Sequence, residues 1–356
     1  KRYTLFLAVL FMIATAVSGQ SAKSFYKAGD KFLEVNKYED AILQYTKAVD
    51  MDPEFDKAYV SRAFAHEKMG NYIEAAADYE RAIVFLPKDE VINYQAGKAY
   101  YLSGELGKAL AKLNKAISLK SKYLDAYQVR TQVYLGLNRN NEALEDCMKA
   151  LRLKENEVNY YNLGQVYERL ELFDPAEEAY HSSIRKNNNV VDSHYALSLL
   201  SFSRDKLTQA MNSANNVIRI DPRHKEGLML RGGIYAKQMN ISKAIDDISI
   251  ALNMFQSDPD LYVLRGDFFQ QLSRHSDAIV DYTNALERDD TNAEVYYKRA
   301  RSHENMRSFE DAMRDYEKLL EMSEYDGNAQ RLYAQAEERM FEINREENKP
   351  VVVLQD

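Results

Sequence analysis

Apolar residues along this chain recur at intervals of three, four and seven, with charged residues between them. That spacing keeps one face of a helix apolar. Short polar breaks interrupt the pattern, such as Asn36-Lys37-Tyr38 and Gly70-Asn71-Tyr72. Glycine and asparagine at such breaks favour turns over helix continuation. The pattern therefore predicts helix, turn, helix, repeated along the chain.

The repetition has a fixed step. Alanines stand at Ala41, Ala75, Ala109, Ala143, Ala176, Ala210, Ala244, Ala278 and Ala312, each 34 residues from the last except for one step of 33. Twelve residues before each alanine lies a small residue: Gly29, Ala63, Gly97, Thr131, Gly164, Ser198, Gly232, Gly266 and Ala300. Three residues further on, a ring is usual, as in Phe32, His66, Tyr100, Tyr134, Tyr167, Tyr235, Phe269 and His303, with Ser201 the exception. Four after the alanine come Tyr45, Tyr79, Leu113, Cys147, Tyr180, Ala214, Ile248, Tyr282 and Tyr316. Small positions let two backbones approach, and rings fill the wedge between neighbouring pairs. One pair cannot bury both of its apolar sides, so the units must stack.

These columns resemble the tetratricopeptide repeat and cover the chain from Ala22 to about Met322. The resemblance implies an all-α fold: a right-handed α-solenoid superhelix of about nine helix pairs, with peptides or partner segments bound in a concave groove. The family's tryptophan position holds Phe25, Tyr59, Asn93, Tyr127, Tyr160, His194, Leu228, Tyr262 and Tyr296. The sixth unit, with Ser201, Ala214 and Val217 at core columns, is expected to pack least well. One branch of the family grips carboxylate tails of chaperones with lysine and asparagine in its first helices. The corresponding positions here hold Tyr26 and Asp30, then Val60 and Phe64, so that signature is missing.

A second correlation runs through the repeat. Five units carry an arginine thirteen residues before the alanine and an aspartate three after it: Arg62 with Asp78, Arg130 with Asp146, Arg231 with Asp247, Arg265 with Asp281, and Arg299 with Asp315. The other four carry neither, having Ala28 with Gln44, Ala96 with Lys112, Leu163 with Ala179, and Leu197 with Ser213. Because the two residues come and go together within a unit, they are predicted to form structural ion pairs between the two helices of each hairpin. A planar guanidinium suits a carboxylate at such a place.

The face left for recognition follows from helical geometry. The position after the Phe25 slot reads Tyr26, Val60, Tyr94, Gln128, Tyr161, Tyr195, Met229, Val263 and Tyr297. Tyrosine offers rigid apolar surface with a polar tip. Tyr26, Val60, Tyr94, Lys98, Gln128, Tyr161, Gln165, Tyr195 and Tyr297 are therefore the candidate partner-binding residues. Three residues earlier the column runs Lys23, Lys57, Val91, Asp125, Val158, Asp192, Glu226, Asp260, Glu294, basic at its start and acidic at its end. Packing between repeats competes with recognition as the explanation for the tyrosines.

Composition narrows the partners. A net charge of −8 without a basic stripe disfavours nucleic acid and anionic membrane surfaces. One cysteine, Cys147, allows no internal disulfide and no cysteine-based zinc site. No catalytic residue, metal site or cofactor site is found. The stretch Gly104-Glu-Leu-Gly-Lys108 is too short for a phosphate loop, and His66 and His303 occupy the ring column.

The ends differ from the array. Residues 1–19 begin with Lys1 and Arg2, continue through an uncharged apolar run, and finish on Val17-Ser18-Gly19. This is the layout of a secretory signal. The apolar run, at roughly 20 Å as a helix, falls short of a membrane span. Nine repeats are expected over residues 20–325 and a capping helix over 326–348, with Leu332, Ala336, Met340 and Ile343 on one face. Residues 349–356, Val-rich, read as a tail or the start of a β-containing domain. The start of the mature array is similar to exported tetratricopeptide proteins of Bacteroidota-type bacteria. That implies a periplasmic or outer-membrane-associated scaffold for a protein or peptide partner, within a multi-protein envelope assembly. The alternative is the docking or regulatory arm of a larger exported enzyme or envelope protein.

Overall fold

A computed structural model describes residues 21–324 and 326–347. The expected signal at 1–19 and tail at 349–356 lie outside the described residues. Within them, the chain is helical, forms nine hairpins and ends on one longer helix. It divides into two units, residues 1–188 and 189–356.

The first unit holds five hairpins: α1 (Ala22–Glu34) with α2 (Tyr38–Met51), α3 (Asp56–Lys68) with α4 (Tyr72–Phe85), α5 (Glu90–Leu102) with α6 (Leu106–Leu119), α7 (Leu124–Gly136) with α8 (Asn140–Leu153), and α9 (Glu157–Arg169) with α10 (Phe173–Lys186). The second unit holds four: α11 (Val191–Ser203) with α12 (Leu207–Ile220), α13 (Lys225–Lys237) with α14 (Ile241–Met254), α15 (Pro259–Gln271) with α16 (His275–Leu286), and α17 (Ala293–Asn305) with α18 (Phe309–Ser323). Helix α19 (Gly327–Glu347) follows. Inside each unit every second helix packs on the first helix of the next hairpin, and α19 packs on α17 and α18.

Burial follows the columns. All nine ladder alanines are 0% exposed, as are Tyr45, Leu113, Tyr180, Ala214, Ile248, Tyr282 and Tyr316 at the position four residues on. Helix α19 buries Ala329, Leu332, Ala336 and Ile343 in one cluster with Tyr316 and Leu319, so it closes the apolar side of the ninth hairpin. Met340 sits partly buried at the edge of that cluster. In the sixth hairpin, Ser198 Oγ donates to the Ala210 carbonyl at 2.8 Å. Ser201 Oγ is buried with no hydrogen-bond partner among the described residues. The sixth hairpin thus forms its helices like the others, and its unpartnered Ser201 Oγ has counterparts elsewhere, such as His66 Nδ1, Gln95 Oε1 and His303 Nδ1.

The turns repeat more strictly than their sequences. Asn36, Gly70, Gly104, Asn138, Glu171, Asp205, Met239, Ser273 and Arg307 all adopt a left-handed backbone, with φ between 56° and 83°. At each, this residue's N–H donates to the carbonyl three back, and the next N–H to the carbonyl five back, as in Asn36 to Leu33 and Lys37 to Phe32. The pair of bonds satisfies carbonyls that a helix end leaves open. Only two of the nine are glycine. Asn36, Asn138 and Asp205 tolerate that backbone, but on Glu171, Met239, Ser273 and Arg307 the packed hairpin imposes it.

Candidate functional site

All five predicted ion pairs form. In each, arginine Nε and one terminal nitrogen donate to the two oxygens of the aspartate, at 2.6–2.9 Å. The aspartate side chains are only 2–7% exposed. Such burial makes the pairs costly to break rather than ornamental.

The remaining arginine nitrogen has a use that the pairing alone did not reveal. It donates to an oxygen on the second helix of the preceding hairpin: Arg62 to Thr46, Arg130 to Asn114, Arg231 to Asn215, Arg265 to Ser249, and Arg299 to Thr283, at 2.6–3.1 Å. Each arginine therefore joins its own two helices and ties the hairpin to the one before it. The sequence signal was present: the fifth residue after the ladder alanine is a hydrogen-bonding Thr, Asn or Ser before every arginine-bearing unit, but Glu80, Met148 and His181 before the others. Ahead of the arginine-free third hairpin, Glu80 instead accepts from Lys112 Nζ at 2.6 Å and Tyr100 OH at 3.2 Å.

The candidate binding residues divide between the units. Tyr26, Val60, Tyr94, Lys98, Gln128, Tyr161 and Gln165 lie on α1, α3, α5, α7 and α9 of the first unit, and Tyr195 and Tyr297 on α11 and α17 of the second. All are half-buried. Each tyrosine leans on a ring. Tyr26 meets Tyr45 and Phe55 at 5.6 and 5.1 Å, Tyr94 meets Tyr123 at 5.0 Å, and Tyr161 meets Tyr180 at 5.9 Å. Tyr195 packs on His224 and Tyr297 on Tyr316. The tyrosines thus both pack the repeat and present a remaining edge. Burial, with Asp125 adding to it, pushes the Tyr94 hydroxyl up to about 12, so it stays a neutral donor.

Around α7 and α9 the face is built of amides. Gln128 Nε2 donates to Asn159 Oδ1 at 2.7 Å; Gln132 Nε2 donates to Asn162 Oδ1 and Gln165 Oε1 at 3.2 and 3.1 Å; Gln165 Nε2 donates to Tyr161 OH at 3.0 Å. Gln132 and Asn162 were not among the predicted residues. They became visible only when packing brought neighbouring first helices together. Tyr79 OH on α4 donates to Glu67 on α3 at 3.3 Å. Burial raises the Glu67 carboxyl above its ordinary value, against the pull of Lys98.

Other polar groups look inward. His66 and His303 are pushed below the ordinary imidazole value, chiefly by burial. Burial pushes the Cys147 thiol up to about 12, and its Sγ lies 3.8 Å from Thr131 Oγ1. Among the described residues there is no group of three or more His, Cys, Asp or Glu able to hold a metal ion. No helix among them is long and apolar enough to cross a membrane.

Comparison with known proteins agrees with this architecture. A family profile described as TPR repeat matches residues 29–70. One described as tetratricopeptide repeat matches residues 124–157, 159–185 and 293–326. Tetratricopeptide repeat protein 6 of Homo sapiens is 24% identical over 200 residues, 55% of this chain and 38% of its own length. DnaJ homolog subfamily C member 3 of Gallus gallus is 22% identical over 183 residues, 47% of this chain and 36% of its own length. The chain thus spans well under half the length of these curated relatives. A tetratricopeptide repeat protein from Parabacteroides merdae superposes with a TM-score of 0.53 at 19% identity, covering 69% of this chain and 98% of that one. With the ladder buried, the hairpins stacked within each unit and the repeat profiles matched in both units, the chain carries tetratricopeptide repeats.

Proposed function

We propose that this chain is a non-enzymatic interaction scaffold that holds a partner peptide or protein segment along the first-helix face of its first unit. A tetratricopeptide fold by itself points to protein–protein interaction. The observation that carries the finer reading is the grouping of Tyr26, Val60, Tyr94, Lys98, Gln128, Tyr161 and Gln165 on five successive first helices, each half-buried and so half-presented. Half-exposed rings backed by other rings lose little conformational freedom on binding, which suits them as contact points.

The test is selection of displayed peptides on the full chain, followed by binding to the Tyr94→Ala and Tyr161→Ala variants. Capture of peptides that both variants lose supports the face. Peptides that bind the variants as well as the parent would remove it.

Export belongs to the same proposal. Residues 1–19 carry the charge, apolar run and small-residue finish that translocation machinery reads, consistent with a periplasmic or outer-membrane-associated scaffold. Fusing this segment to a reporter active only after export tests it; a reporter that stays inactive would contradict it. A second reading, the docking or regulatory arm of a larger exported enzyme or envelope protein, is favoured by the short span of the relatives that the chain covers.

A further inference from the structure

Resting on the reading that the first unit's first-helix face binds a peptide, we infer that its ligand is an extended segment carrying two apolar side chains about six residues apart, with polar residues between them. Three successive first helices set this pattern. At equivalent repeat positions, α5 presents Val91, Tyr94 and Lys98; α7 presents Asp125, Gln128 and Gln132; α9 presents Val158, Tyr161 and Gln165. Val91 is 46% exposed and Val158 is 44% exposed, and each lies one helical turn from a half-buried tyrosine. The same position on the helix between them is the exposed carboxylate of Asp125, beside the amides of Gln128 and Gln132. The face therefore reads apolar, polar, apolar across three helices.

The spacing follows from packing. Helix α7 comes within 8 Å, Cα to Cα, of both α5 and α9. Packed helix axes stand about 8–10 Å apart, so the two apolar stations are separated by roughly 20 Å. An extended chain rises about 3.3 Å per residue and crosses that distance in about six. A helical ligand, at about 1.5 Å per residue, would need about thirteen. The middle station matches an extended main chain. Gln128 is held by Asn159, and Gln132 by Asn162 and Gln165, so the half-buried amides of Gln128, Gln132 and Gln165 are fixed in place, and amides offer both donor and acceptor to a peptide group.

Random displayed peptides of about sixteen residues are long enough to hold either spacing, and are selected on the full chain. Groove-dependent binders are expected to share two apolar residues about six apart. A synthetic peptide of that pattern is expected to lose about tenfold or more in affinity to Val91→Asp and to Val158→Asp. Both valines are partly exposed, so these variants keep the fold, and Val84→Asp on α4, at a site 67% exposed, serves as the unaffected control. Binders that depend on Tyr94 and Tyr161 but carry a helical spacing, or no spacing, would overturn this inference and leave the broader reading standing. Selection that yields no binder sensitive to Tyr94, Tyr161, Val91 or Val158 would overturn both.

Discussion

Gly164 lies so close to the ring of Tyr180 that a Cβ added there would stand 2.4 Å from ring carbon Cε1. The ring has nowhere to go: Tyr180 is fully buried and its hydroxyl donates to Glu168. Gly164→Ala would ordinarily gain up to about 1 kcal/mol of helix propensity. Here the clash outweighs it, since overpacking a core costs about 1–3 kcal/mol. The substitution is expected to lower the denaturant midpoint of the chain, whereas Gly107→Ala, which meets nothing within 4 Å, is expected not to. An unchanged or raised midpoint for Gly164→Ala would refute the close-packed assignment.

Asp247→Ala leaves the Arg231 guanidinium facing an emptied, nearly buried site and is expected to cost about 3–5 kcal/mol. Asn215→Leu removes only the link from Arg231 to the preceding hairpin and should cost about 1 kcal/mol. A double-mutant cycle between residues 215 and 247 then reports their coupling through Arg231. Strict additivity would mean that the arginine does not join the two hairpins energetically.

Met239 holds a left-handed backbone at φ 61° while 85% exposed. Its side chain contributes little packing, and its backbone carries a penalty of about 1–2 kcal/mol that glycine escapes. Against glycine's greater entropy loss on folding, Met239→Gly should stabilise by about 0.5–1 kcal/mol. Chemical denaturation of the two chains decides it, and a destabilised variant would contradict the turn geometry.

His66 and His303 have their titration lowered in the folded chain, chiefly by burial. Unfolded, they take protons near the ordinary value of about 6.5. Below that pH the unfolded state binds more protons than the native one, so their contribution is complete above about 6.5 and is lost as pH falls beneath it. Replacing either with Phe, the residue found at the equivalent Phe32 and Phe269, should flatten the loss of stability between about pH 7 and 5. Parallel stability curves for parent and variants would show that neither imidazole matters.

Cys147 is 1% exposed, with its thiol held up to about 12 by burial. A thiol reagent at mildly alkaline pH should leave it unmodified in the native chain and label it in denaturant, because only the thiolate attacks. Rapid labelling without denaturant would mean that the fourth hairpin opens readily.

The order of helices, the buried alanine ladder, the capping helix and the membership of five Arg–Asp pairs were all readable from the sequence. Each rests on a choice made once per repeat, and nine copies of a local rule expose the rule. Even the third arginine partner left a trace in the column of Thr46, Asn114, Asn215, Ser249 and Thr283. Tertiary structure decided what depends on residues about thirty apart in sequence meeting across a helix interface. It made Gln132 and Asn162 neighbours, drew Tyr161 into the amide network, forced left-handed turns on Glu171, Met239 and Arg307, and left Val91 and Val158 exposed at matching stations. Periodicity fixes which face of a helix is apolar; only packing settles which polar atoms on the other face come within hydrogen-bonding reach of one another.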